Sequence, residues 1–210
     1  MTSLHFVYGD DEYLVDRAGH DLLDSDGSIE VIDGQVATVA EWQKCVQRLW
    51  ESVQTIDLFS NRKSVWLRRA SFMETSGLAL AESGRTTTEL FLSLLKSFPA
   101  EVKGIISAFP VDKRSRVFKE IERASHVQHL TKTKEAVFRI MERTAKARGV
   151  QVTPDACGSI YERMNGGPRA IAHEVEKLCT YVGEGGIVDH NVVSKLTPVV
   201  PSEEFFEPVE

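Results

Sequence analysis

The chain has 210 residues, 42% of them hydrophobic and 27% charged, with a formal net charge of −6. Such proportions fit an ordinary globular protein and exclude collagen-like, disulfide-framework and disordered classes. No run approaches the roughly 20 apolar residues a membrane span needs, and the acidic start MTSLHFVYGDDEYLVD has no basic, apolar leader, so a cytoplasmic protein without membrane contact is expected.

The charge is divided unevenly. Residues 1–60 hold 12 acids and 3 bases, a net of −9, and residues 112–148 hold 11 bases and 5 acids, a net of +6. The first segment repels a phosphate backbone and the second is able to face one. Cys45, Cys157 and Cys179 are far apart and form no CxxC pair, so they read as reduced thiols rather than metal ligands or disulfides.

Leu4–Tyr8 is an apolar run, read as a buried strand and closed by Gly9-Asp10-Asp11. Leu14, Ala18 and Leu22 then recur at a helical spacing. Ile29–Asp33 is a second strand, and Val39, Trp42, Val46, Leu49 and Trp50 mark one face of a second helix. Ser64–Arg68 is a third strand. Thr86 and Glu89 have the spacing of a capping box ahead of Leu90, Phe91, Leu94 and Leu95. Lys103–Phe109 is a fourth strand, Ser115–Ala124 a short helix and His126–Leu130 a fifth strand. Strands alternating with helices predict a mainly parallel sheet covered on both faces.

Beyond Leu130 the strand pattern stops. Lys134–Arg148 reads as a helix with Val137, Met141 and Ala145 inward. Thr153-Pro154 starts another, since proline suits the first helical position. Gly166-Gly167-Pro168 ends that helix and opens a further one with Ile171, Val175 and Leu178 inward. Asp189 starts the last. The expected organisation is an α/β domain over 1–130 and a small all-helical domain over 131–198.

The turn after the first strand carries most of the functional information. A phosphate-binding loop reads GxxxxGK[ST]: glycines let backbone N–H groups close on phosphate, and the lysine reaches its outer oxygens. Here Gly9-Asp10-Asp11-Glu12 offers one glycine, no lysine and three consecutive carboxylates. Those charges suit a helix N-terminus but repel an anion. A magnesium-holding third strand ends in an acid, whereas Val65-Trp66-Leu67 runs into Arg68-Arg69. The layout is that of a P-loop-type α/β domain without the residues that hold a nucleotide. No nucleotide, cofactor, metal or catalytic residue is therefore expected. His126 and His129 fall on opposite faces of one strand, and no GxSxG elbow is present.

Four segments, in order along nearly the whole chain, resemble the delta subunits of bacterial DNA polymerase III. They are Val7–Val15, Gln54–Lys63, Asp112–Arg116, and Asn165–Ile171 continuing through Glu174–Leu178. The resemblance implies a RecA-like, AAA+ type domain followed by a helical lid. It also implies a subunit that opens the sliding clamp during DNA replication without hydrolysing ATP itself. In such subunits an exposed apolar pair before the third strand binds the clamp, and Leu58 and Phe59 match it, with Ile56, Arg62 and Lys63 expected at the rim. Without the resemblance, the same pair reads rather as core beneath the sheet edge. The implied partners are the clamp (beta subunit), the other loader subunits (delta prime, gamma/tau) and primed DNA in the assembled complex. A third, C-terminal collar domain carries the subunit contacts in the family, and residues 199–210 read as the start of one that the chain does not contain.

Arg139, Arg143 and Lys146 lie at i, i+4 and i+7 on one helical face. They are candidates for DNA or partner contact, or a solvated face paired with Glu135 and Glu142. Arg169 matches a position of nucleotide-sensing arginines and is read as structural. Two other functions stay open at this point: a nucleic-acid-binding module built on residues 112–148, and a small-ligand enzyme with an unrecognised cleft.

Overall fold

The computed structural model describes residues 3–55, 62–73 and 82–200. They divide into two compact units, Met1–Thr131 and Lys132–Glu210.

The first unit is built on five parallel strands: β1 (Leu4–Gly9), β2 (Ser28–Asp33), β3 (Lys63–Arg68), β4 (Val102–Ala108) and β5 (His126–Leu130). Their spatial order is β2-β3-β4-β1-β5. The connecting helices are α1 (Glu12–Asp21), α2 (Val39–Gln54), α3 (Glu82–Lys96) and α4 (Arg116–Ala124). The three central strands are buried along most of their length and the two edge strands are not. This is why β1, β3 and β4 read as continuous apolar runs and β5 is polar, although the exposed face of β2 carries Ile29 and Val31.

Side-chain alternation splits the sheet into two faces. Phe6, Tyr8, Val65, Leu67 and Ile106 join Trp42, Leu49, Phe91, Leu94, Phe118 and Ile121 in one core beneath α2, α3 and α4. Trp42 stacks on Phe72 with ring centroids 3.9 Å apart. Removing each of these large side chains from water contributes roughly 1.5–3 kcal/mol. On the other face Trp66 packs against α1. A Cβ on Gly19 would lie 2.7 Å from the Trp66 ring, so only glycine allows α1 to approach this closely. The indole of Trp66 donates a 2.9 Å hydrogen bond to the Ser107 hydroxyl on β4.

Two details of the sequence reading are corrected. The chain is already helical at Glu82, so Thr86 and Glu89 stand inside α3 and form no capping box. Thr88 instead donates to the Gly84 carbonyl, and Glu89 pairs with Arg116 on α4. The Thr-x-x-Glu spacing is equally that of neighbouring turns on a helix surface. In α2 the buried stripe is Trp42, Cys45, Val46, Leu49 and Val53, and Trp50 is 45% exposed. At 3.6 residues per turn Trp50 lies about 80° around the helix from Trp42, beyond the inward stripe.

The second unit contains α5 (Lys134–Lys146), α6 (Pro154–Arg163), α7 (Pro168–Val182) and α8 (His190–Leu196). Val137, Met141, Ile160, Ile171, Val175, Leu178 and Val193 form its own core. Thr133, Thr153 and Asp189 cap the helices whose starts they mark. To the helices the structure adds two parallel strands of two residues each, β6 (Gln151–Val152) and β7 (Ile187–Val188). So short a pairing leaves no periodic signal in sequence.

Candidate functional site

The C-terminal edge of the sheet, where β1 passes into α1, is the place at which a P-loop fold holds phosphate. Only Asp10 and Asp11 separate β1 from α1. Asp11 is the helix N-cap, and its carboxylate accepts from the Leu14 backbone N–H at 3.0 Å. A fixed negative group therefore already sits where a bound anion would be received. The Asp10 N–H donates to the Leu130 carbonyl. A Cβ on Gly9 would fall 2.3 Å from that same oxygen. The glycine thus serves the contact between β1 and β5.

The end of β3 is likewise occupied by the chain's own groups. Arg68 pairs through Nε and a terminal nitrogen with both carboxylate oxygens of Asp16 on α1. Asp16 holds the guanidinium pKa above its ordinary value, with Asp33 and Glu12 acting in the same direction. Arg69 pairs with Asp33 at the end of β2. The second acid-bearing position of a nucleotide site is therefore a pair of arginines neutralised by acids on neighbouring elements.

At the opposite edge of the sheet, residues 56–61 join α2 to β3. Leu58, Phe59 and Ile56 lie outside the described residues. The two ends of this segment are well anchored. Lys63 Nζ donates to the Thr55 carbonyl at 3.0 Å and lies 3.5 Å from Glu30. The Arg62 carbonyl accepts from the Ser28 N–H at 3.0 Å, while the Arg62 side chain is exposed. The Lys63 side chain is 12% exposed, and its ammonium links two described residues on either side of 56–61.

The sequence profile of the DNA polymerase III, delta subunit family matches residues 5–131. This chain belongs to that family. Among solved structures, a Bacillus subtilis DNA clamp loader delta protein has a similar fold, with a TM-score of 0.57 and 16% identity. That match covers 94% of this chain and 59% of the other. The Thermotoga maritima RuvB Holliday junction branch migration motor aligns with a TM-score of 0.54 at 14% identity, over 93% of this chain and 60% of that one. At such identities the likeness establishes the RecA-like, AAA+ type fold. The chain spans about three fifths of the length of the structures it matches. A search of curated proteins finds no match.

Within this delta-family chain the basic candidates differ in their surroundings. Arg139, Arg143 and Lys146 are exposed on α5, opposite the buried Val137, Met141 and Ala145. Backbone and Thr133 hydrogen bonds, with Arg139 nearby, lower the pKa of the Glu135 carboxyl. In the first unit Arg114 pairs with Asp112, Arg116 with Glu89 and Arg123 with Glu120. Three of the bases in residues 112–131 are thus paired with nearby carboxylates.

Two surface depressions flank α2. One, of about 500 Å³, is lined by Glu30, Lys44, Arg48, Glu51 and Thr55. The other, of about 470 Å³, lies between α2 and α3 against Val46, Trp50, Thr87 and Leu90. Among the described residues no group of three or more His, Cys, Asp or Glu side chains is placed to hold a metal. No described helix is long and apolar enough to cross a membrane. His126 and His129 project to opposite faces of β5, the first beside His5 and the second stacked on Tyr8.

Asp16 and Asp33 escaped the sequence reading. Each partners an arginine far along the chain, 52 and 36 residues away, and no local spacing encodes such a pair.

Proposed function

We propose that this chain acts as a clamp-loader delta subunit, which binds the polymerase sliding clamp and favours its open form by contact, without hydrolysing ATP. The observation that carries this reading is the Asp11 carboxylate capping α1 where a phosphate would bind. A protein of this family and fold that fills its own nucleotide position with side chains is suited to positioning a partner rather than to catalysis. Membership of the DNA polymerase III delta family supports the identity of that partner.

The contact is assigned to Leu58 and Phe59, with Ile56, Arg62 and Lys63 at the rim; Lys63 also bonds the Thr55 carbonyl. Burying one leucine and one phenylalanine contributes about 3–6 kcal/mol in all. Association itself costs several kcal/mol, so the pair anchors the complex while neighbouring contacts complete it. To favour an open clamp, the pair must bind that form more tightly than the closed one. The other loader subunits and primed DNA are proposed as partners in the full assembly.

Co-purification with the cognate clamp tests the assignment. The wild-type chain should retain the clamp, and Leu58→Ala with Phe59→Ala should release it. Equal retention by the double variant would remove these residues from the interface.

A further inference from the structure

We infer that the ion pairs at the C-terminal edge of the sheet form a built-in fastener, which does here the cross-linking that a nucleotide and its metal provide in a loaded P-loop fold. The inference rests on the proposed absence of nucleotide from this site. In a loaded site the phosphates sit on the helix that follows β1, and the metal they carry is held by an acid at the end of β3. The ligand then couples these two elements to each other.

In this chain a covalently attached cation makes that coupling. Arg68 leaves the end of β3 and grips Asp16 on α1 with two parallel hydrogen bonds. A forked guanidinium–carboxylate pair fixes orientation as well as distance. The Arg68 guanidinium also lies 5.5 Å from the centre of the Trp66 ring, the side chain that fills the space against Gly19 of α1. The next residue extends the link to β2, because Arg69 pairs with Asp33.

Main-chain bonds close the rest of the edge. The Gly34 N–H donates to the Arg68 carbonyl at 2.6 Å, and the Ala70 N–H donates to Ser107 of β4 at 2.8 Å. The Val36 N–H reaches the Ser71 hydroxyl at 2.9 Å. Arg69 itself holds a φ of +57°. A non-glycine residue keeps that conformation only where its surroundings over-determine it. The ends of β2, β3 and β4 and the body of α1 are thus tied at one place by groups the chain carries permanently.

Hydrogen exchange on the whole chain, with and without millimolar ATP and magnesium, tests the fastener. Arg68→Ala and the near-isosteric Asp16→Asn should both speed exchange across residues 12–21 and lower the unfolding temperature. The exchanged pair, Asp16→Arg with Arg68→Asp, should recover much of the protection. ATP and magnesium should leave the wild-type pattern unchanged. The inference is overturned if both single variants exchange like wild type, or if the exchanged pair is as loose as the single variants. Protection of residues 12–21 by ATP in the wild type also overturns it. Clamp retention in the same preparations is read separately. Loss of binding on changing Leu58 and Phe59 concerns the proposed function and leaves the fastener untouched.

Discussion

Gly9 shows how one residue serves architecture at a position where relatives of this layout serve chemistry. Its missing side chain admits the Leu130 carbonyl, which an added Cβ would meet at 2.3 Å. Gly9→Ala is therefore expected to push β5 away from β1 and lower the unfolding temperature by several degrees, consistent with a cost of about 1–3 kcal/mol for overpacking. Thermal unfolding followed by circular dichroism measures it. The cysteines give a second test at this scale. Burial pushes the Cys45 thiol up to about 11, with Asp33 adding to the rise. Burial raises Cys157 and Cys179 as well. Native protein should resist alkylation at pH 8 and label at all three positions in denaturant, with the labels counted by mass. The sign of the linkage follows from the same shift. Below about pH 9 the Cys45 thiol is protonated in both states and has no effect on stability. Between about 9 and 11 the unfolded chain releases that proton while the folded chain keeps it, so stability falls as pH rises. Some of this was legible in sequence. In sequence the charges of Asp10, Asp11 and Glu12 suit a helix N-terminus, and the structure makes Asp11 the N-cap of α1. The Arg68–Asp16 pair was not legible, because 52 residues separate its partners.

Among the elements, α2 shows which local signals translate into structure. Thr38 and Glu41 form a full capping box at its start, each side chain bonding the other's backbone N–H. Thr38→Ala removes one half of it and should cost about 1 kcal/mol, read as a lower denaturant midpoint with an unchanged slope. Thr86 and Glu89 have the same spacing and no such role, since α3 is already helical around them. The pattern identifies a helix start only when the preceding backbone is extended, and this is a property of φ and ψ rather than of composition. Trp50 makes a similar point: an aromatic residue four positions after a buried valine still falls outside the buried stripe and, with Leu90, lines the groove between α2 and α3. The edge strands were legible as strands but not as edges: β5 is polar, whereas the exposed face of β2 carries Ile29 and Val31.

Across the whole molecule, the alternation of strands and helices made a parallel sheet legible, and its loss after Leu130 marked a change to helical structure. The order β2-β3-β4-β1-β5 was not legible. Every central strand is apolar, so hydrophobicity alone does not choose its neighbours. The functional reading depends on both edges of that sheet. At one edge the chain fills its nucleotide position with its own charges. At the other, Lys63 bonds the Thr55 carbonyl, and the proposed contact residues Leu58 and Phe59 fall between these two in the chain. If the first edge is permanently closed, the second should bind without any nucleotide cycle. The most direct test is a titration of this chain with the cognate sliding clamp, with and without ATP and magnesium. The account predicts one affinity under both conditions, lost when Leu58 and Phe59 are changed to alanine. Binding that appears only with ATP, or that survives the double substitution, would contradict it.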